Sequence, residues 1–173
     1  MHIALIEPEI PGNTGSVGRV CVGTGTSLHL VGTLGFSIDE KAVRRAGLDY
    51  WNKLDLHRHA DFDALLQALP GHTFHLFSAH AATRYDRVTY GPTDVLVFGG
   101  ETRGFPADLR ARFADRMVYL PTLPEVRSLN LANAVTAVLF EALRQQDFPG
   151  IDRGTASVPA PQLKGVRGGP LKQ

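Results

Sequence analysis

Short apolar runs recur along the chain at His2–Ile6, Leu28–Val31, Leu54–His57, Phe74–Phe77, Val95–Phe98 and Met117–Leu120, each too short for a packed helix. Between them the spacing of apolar residues is helical, over Thr14–Gly23, Asp39–Ala46, Asp61–Leu69, Pro106–Phe113 and Asn130–Gln146. The last of these carries Leu131, Val135, Val138, Leu139, Ala142 and Leu143 on one stripe, with Glu141 and Arg144 off it, so it packs against the sheet or another subunit. Strands alternating with helices predict an α/β fold, a mostly parallel sheet flanked by helices on both faces.

From Pro149 the composition shifts to Gly, Pro, Lys and Arg with almost no large apolar residue, too little to offset the entropy of ordering. The chain therefore divides into one domain over 1–150 and a basic, Gly/Pro-rich, disordered tail over 151–173. That tail reads either as a solvated end or as a basic arm touching nucleic acid. A formal charge of +1 decides nothing about partners, because a local patch outweighs the sum. Cys21 is the one cysteine, which excludes an intrachain disulfide and a thiolate metal cluster. Met1–Glu7 runs straight into a strand with no leader pattern, and no stretch approaches membrane-spanning length, pointing to a cytoplasmic protein without a membrane partner.

Two strings carry the candidate chemistry. Phe98–Gly104 leaves a buried strand through Gly99 and Gly100, which permit positive φ and close approach of a ligand to bare backbone, and adds Glu101 and Arg103. It lacks both the P-loop ending and the dinucleotide fingerprint. It reads either as a ligand turn or as a plain turn with an exposed Glu101–Arg103 pair. Ser128–Val135 opens the last helix, with Ser128 or Asn130 as its cap, after a stiff loop holding Pro121 and Pro124. Two such turns on neighbouring strands make a pocket. Near the start, Asn13 reads as a helix cap, which places Arg19 nearly two turns along, either reaching across the loop or as a plain surface cation.

The seven histidines are scattered in sequence and show no metal-ligand spacing, so no metal is expected. Weak RNA contacts are His59, read in a loop beside Arg58, and Arg44 and Arg45 with Lys41 near Tyr50 and Trp51. That cluster either captures an anticodon stem-loop with aromatic stacking or is an amphipathic helix ending at Gly47 with both rings in the core.

In order, Glu7-Pro8-Glu9-Ile10-Pro11 with Asn13-Thr14-Gly15, Arg44-Arg45-Ala46-Gly47-Leu48-Asp49-Tyr50, Phe98-Gly99 with Glu101-Thr102-Arg103-Gly104, and Ser128-Leu129-Asn130-Leu131 with Asn133-Ala134-Val135 resemble the SPOUT class of RNA methyltransferases, TrmL type. The resemblance runs from Ile3 to about Gly150. It implies a SPOUT fold with a C-terminal trefoil knot from about Phe74 onward, a homodimer with active sites near its interface, and S-adenosyl-L-methionine as cofactor. The implied activity is methylation of the ribose 2′-oxygen of a tRNA wobble nucleotide, cytidine or modified uridine. Alternatives in the same class are methylation of rRNA and RNA binding without chemistry.

Position by position, the resemblance implies a cofactor pocket of Phe77, Gly99, Gly104, Leu120, Pro121, Ser128 and Leu129. Arg19 matches the family's motif arginine, while Asn13, Glu101 and Asn130 match its other polar active-site positions, and Ser128 adds a hydroxyl. A ribose hydroxyl is a poor nucleophile, so alignment and stabilisation of developing charge carry the reaction. A guanidinium stays charged, which favours an electrostatic role for Arg19 over that of a base. Ser16, Gly23 and Phe140 stand where relatives often have Asn, Asn and Tyr.

Overall fold

The computed structural model describes residues 1–37 and 50–151; the predicted helix Asp39–Ala46, its Lys41, Arg44 and Arg45, and the tail from residue 152 lie outside the described residues. Among the described residues seven strands form one sheet: β1 (His2–Ile6), β2 (Ser27–Val31), β3 (Leu56–His59), β4 (Phe74–Phe77), β5 (Thr83–Arg84), β6 (Val95–Phe98) and β7 (Met117–Tyr119). Their order is β3-β2-β1-β6-β4-β7-β5, and every pairing between them is parallel. Strands enclosed on both faces have no solvated side to keep polar, which is why β6 is apolar and buried throughout and β4 is buried throughout, with its one polar residue, His75, bonded to Asp94 at 2.7 Å.

Alternation along these strands separates two cores. Ile3, Leu5, Leu28, Leu30, Leu96 and Phe98 face one side, under α1 (Pro11–Thr24) and α4 (Leu131–Gln145). Ala4, Ile6, Val31, Val95, Val97 and Met117 face the other, with Leu65 of α2 (Phe62–Ala68) and Leu109 of α3 (Ala107–Arg112). The α4 stripe predicted from its spacing is the buried face: Val135, Val138, Leu139 and Ala142 are fully buried. Small residues let α1 sit close to its neighbours. A Cβ on Gly18 would lie 2.9 Å from the Trp51 ring, so Trp51 packs on this helix. Cys21 faces the same core, and burial pushes its thiol up to about 12, which leaves it unreactive.

Several element bounds move for local reasons. Helix α1 starts at Pro11, ahead of the predicted Thr14, because proline suits the first helical turn, where its missing N–H is not needed. Asn13 is therefore inside the helix and is not its cap; Ile10 precedes the first turn with no side-chain cap. The third strand starts at Leu56 and not at the predicted Leu54, since Leu54 closes the 3₁₀ turn Trp51–Lys53, its N–H donating to Trp51 C=O. The two-residue β5 carries no hydrophobic run and was not expected. Asp61 caps α2 by accepting from Ala64 N–H at 2.8 Å, and Asn130 caps α4 by accepting from Ala132 and Asn133 N–H at 3.0 and 3.3 Å.

Candidate active site

A cavity of about 550 Å³ opens at the carboxyl ends of β4, β6 and β7. Phe77, Gly99, Gly104, Leu120, Ser128 and Leu129 line it, as do Asn13, Glu101 and Asn130. The turns after β6 and β7 do not belong to neighbouring strands, because β4 lies between them and contributes Phe77 and Ser78 to the same cavity. Sequence order hides this insertion, since β4 precedes β6. Beneath the opening, Phe77 and Phe98 stack with ring centroids 4.7 Å apart, giving one wall a flat apolar face. Pro121 does not line the cavity, whereas Ile10, Phe105, Leu131 and Ala134 do.

The glycines of the β6 turn have a different use from the one expected. Positive φ occurs at Gly104 (63°), not at Gly99 or Gly100. A Cβ on Gly99 would stand 2.4 Å from the Gly104 carbonyl carbon, and one on Gly100 would stand 2.9 Å from the Glu7 carbonyl oxygen. Both side chains are excluded by protein backbone, so these residues let the turn fold back on itself, where Gly104 N–H donates to Gly100 C=O at 2.9 Å.

A polar clasp binds this turn to the start of α1. Glu101 Oε2 accepts from Glu9 N–H at 2.8 Å, and its Oε1 accepts from Ile10 N–H at 3.3 Å and Asn13 Nδ2 at 2.9 Å. Glu101 thus serves as the acceptor that the N-terminus of α1 lacks, and it forms no pair with Arg103. In return Glu9 accepts from Thr102 Oγ1 at 2.6 Å and Thr102 N–H at 3.2 Å; the hydroxyl contact holds its carboxyl below the usual range. Asn130 Nδ2 donates to Asn13 Oδ1 at 2.9 Å, so three residues from three distant turns form one chain of hydrogen bonds. Glu7, at the turn leading into the clasp, sits at φ 47°, a strained backbone for a residue with a Cβ.

Arg19 does not face the cavity of its own chain. Its guanidinium lies over the Tyr50 ring, 5.7 Å from the centroid, and the Tyr50 hydroxyl donates to Gly15 C=O at 3.2 Å. Ser16 bonds back to Gly12 C=O at 2.9 Å, and Phe140 is exposed on α4 beside Phe148.

His59 is not in a loop. It ends β3, and its Nε2 meets His29 Nδ1 at 2.9 Å. The other nitrogen of His29 meets His2 Nδ1 at 3.0 Å, His57 stacks on it at 4.7 Å, and His72 meets His2 edge-on at 5.2 Å. Residues far apart in sequence thus form one cluster, because the parallel register sets His29 opposite His57. Burial holds His29 down to about 3 and His2 to about 4, so both are neutral. Among the described residues no group of three or more His, Cys, Asp or Glu is arranged to hold a metal ion, and no helix is long and apolar enough to cross a membrane.

Against known proteins, the SpoU rRNA Methylase family model matches residues 1–140. A tRNA (cytidine(34)-2'-O)-methyltransferase of Methylovorus glucosotrophus is 44% identical over 149 residues, 86% of this chain and 97% of that one. A solved structure described as giving structural insights into the 2-OH methylation of C/U34 on tRNA is 42% identical at a TM-score of 0.80, over 84% of this chain and 95% of the other. The SpoU methyltransferase AviRb of Streptomyces viridochromogenes, solved with AdoMet, is 26% identical at a TM-score of 0.74, over 85% of this chain and 58% of the other.

Proposed function

This chain belongs to the SpoU rRNA Methylase family, and we propose that it methylates the ribose 2′-hydroxyl of the tRNA wobble nucleotide, cytidine or modified uridine, using S-adenosyl-L-methionine. The observation that carries this reading is the cavity closed by the Asn13–Glu101–Asn130 chain, in a protein 44% identical to a tRNA (cytidine(34)-2'-O)-methyltransferase along nearly the whole of both. Identity favours tRNA over rRNA: this chain is 44% identical to that relative but 29% identical to an AdoMet-bound rRNA methyltransferase of Sinorhizobium meliloti.

The cavity fits the cofactor on its own terms. Its wall of stacked Phe77 and Phe98, with Leu120 and Leu131, suits a flat heterocycle, and the bare turn at Gly99–Gly104 presents main-chain donors and acceptors. When bound, the cofactor supplies an electrophilic methyl group. Glu101 and Asn130 are here positioning residues: their hydrogen bonds fix the β6 turn and the start of α4 relative to α1. Ser128, exposed at the rim, makes no hydrogen bond among the described residues and is free to donate to a ligand. The 2′-oxygen releases its proton to solvent water as it takes the methyl group, and a neighbouring guanidinium stabilises the negative charge that develops there.

We assign that guanidinium to Arg19. Because it points away from its own chain's cavity, the assignment requires a homodimer in which a second copy supplies it. The exposed Ile10, Leu129 and Phe140, on the turns and helix flanking the site, support such a contact. The trefoil knot, a catalytic domain over 1–150 and a cytoplasmic location complete the proposal. Incubation with methyl-labelled cofactor and unmodified tRNA, followed by mapping, tests it: label on the ribose of nucleotide 34 is expected, and label on a base or on rRNA alone contradicts it.

A further inference from the structure

The mouth of the cavity carries three arginines from three separate elements: Arg103 in the β6 turn, Arg110 on α3 and Arg127 in the loop before α4. All are exposed, and among the described residues none has a carboxylate at ion-pair distance, although Arg103 feels the nearby charge of Glu9. On the same short helix, Arg112 is held by Asp63 at 2.5 Å, so an unpaired guanidinium is not the rule even for α3. Among the described residues Glu101 is the one acidic residue lining the cavity, and its oxygens are taken by three donors.

This charge does not match the cofactor. S-adenosylmethionine carries a sulfonium and an ammonium against one carboxylate, so its net charge is positive and its single negative charge balances one guanidinium. At least two of the three arginines are therefore left for a different, anionic ligand. Guanidinium forks suit phosphate oxygens, and an RNA strand entering the cavity brings a phosphodiester on each side of the target ribose. Resting on the proposed RNA methylation, we infer that Arg103, Arg110 and Arg127 form a phosphate-binding rim that grips the RNA backbone flanking the methylated nucleotide. The rim aligns the strand, so that the 2′-oxygen and not the base reaches the methyl group.

The test uses the full chain and an anticodon stem-loop RNA with a 2′-deoxy target nucleotide, which binds without turnover. Its affinity is measured by fluorescence anisotropy across a salt series, and cofactor affinity separately by calorimetry. Arg110→Ala and Arg127→Ala are expected to weaken RNA binding by about fivefold to tenfold and to lower the slope of log affinity against log salt by about 0.7 each. Arg110→Lys retains the slope, Arg112→Ala behaves as wild type, and at least two of the three rim alanine variants keep cofactor affinity within about twofold. Unchanged salt slopes in the alanine variants, or loss of cofactor affinity in two or more of the three, overturn the rim. If wild type methylates tRNA while the variants grip RNA normally, the rim is wrong and the enzymatic reading stands. If the variants lose RNA affinity while wild type methylates nothing, the rim stands and the enzymatic reading fails.

Discussion

Asn13 donates its Nδ2 hydrogen to Glu101 at 2.9 Å, joining residues 88 positions apart and locking the first turn of α1 to the loop that follows β6. The same carboxylate takes two backbone N–H groups of that turn, so its loss strands several donors at once.

Glu101→Gln keeps the shape but turns an NH₂ group toward one of those donors. Stability is expected to fall by about 1–3 kcal/mol, with methyl transfer down at least tenfold. Thermal melting and a steady-state assay check both; a variant that melts and turns over as wild type shows that the clasp is dispensable.

Gly99→Ala places a methyl group against the Gly104 backbone, which cannot yield as a flexible side chain does. The turn must open, and cofactor affinity is expected to drop by about tenfold or more, since overpacking costs about 1–3 kcal/mol. Gly12→Ala, where a Cβ meets nothing within 4 Å, is expected to bind cofactor normally. Equal cofactor affinities for the two variants in calorimetry contradict this account of the turn.

Arg19→Ala is expected to lower turnover by about 100-fold while cofactor affinity stays within about twofold, because this residue lies over Tyr50 and outside its own cavity. In mixed dimers of Arg19→Ala and Gly99→Ala chains, one site regains both an intact cavity and an arginine, so activity above that of either variant is expected. No recovery on mixing contradicts a shared site.

The histidine cluster sets a pH dependence. His29 and His2 are held below their ordinary value, to about 3 and about 4, so the unfolded chain binds protons in the window where the fold does not. Stability is therefore full above about pH 6.5 and falls as pH drops toward 4, by up to about 1.4 kcal/mol per pH unit for the buried His29 and by less for the partly exposed His2, where solvent screens the charge. Urea midpoints between pH 7.5 and pH 4.5 follow it; replacing His29 by Gln is expected to flatten the fall, and an unchanged pH profile contradicts the assignment.

Much of this was legible in the residues, for identifiable reasons. The runs at Phe74–Phe77 and Val95–Phe98 show strands without alternation because both faces are buried, and the stripe of α4 shows a helix with one dry side. The placement of β4 between β6 and β7 was not legible, because nothing local in a strand names its neighbours. Nor was the histidine cluster, which exists only through the parallel register of β1, β2 and β3. Asn13 has the chemistry of a cap, and Pro11 two residues earlier was the signal that the helix had already begun. Of the arginine rim only Arg103 lies in a motif; Arg110 and Arg127 come from a helix and a loop that only the fold brings to the same opening.

The most direct measurement pairs two anticodon stem-loop RNAs that differ by a single oxygen, one with ribose and one with 2′-deoxyribose at the wobble nucleotide, each incubated with the full chain and methyl-labelled cofactor. Label on the first and none on the second is the predicted result, with nucleoside mass spectrometry placing the methyl group on the 2′-oxygen. Equal labelling of both RNAs, or none of either, contradicts the account.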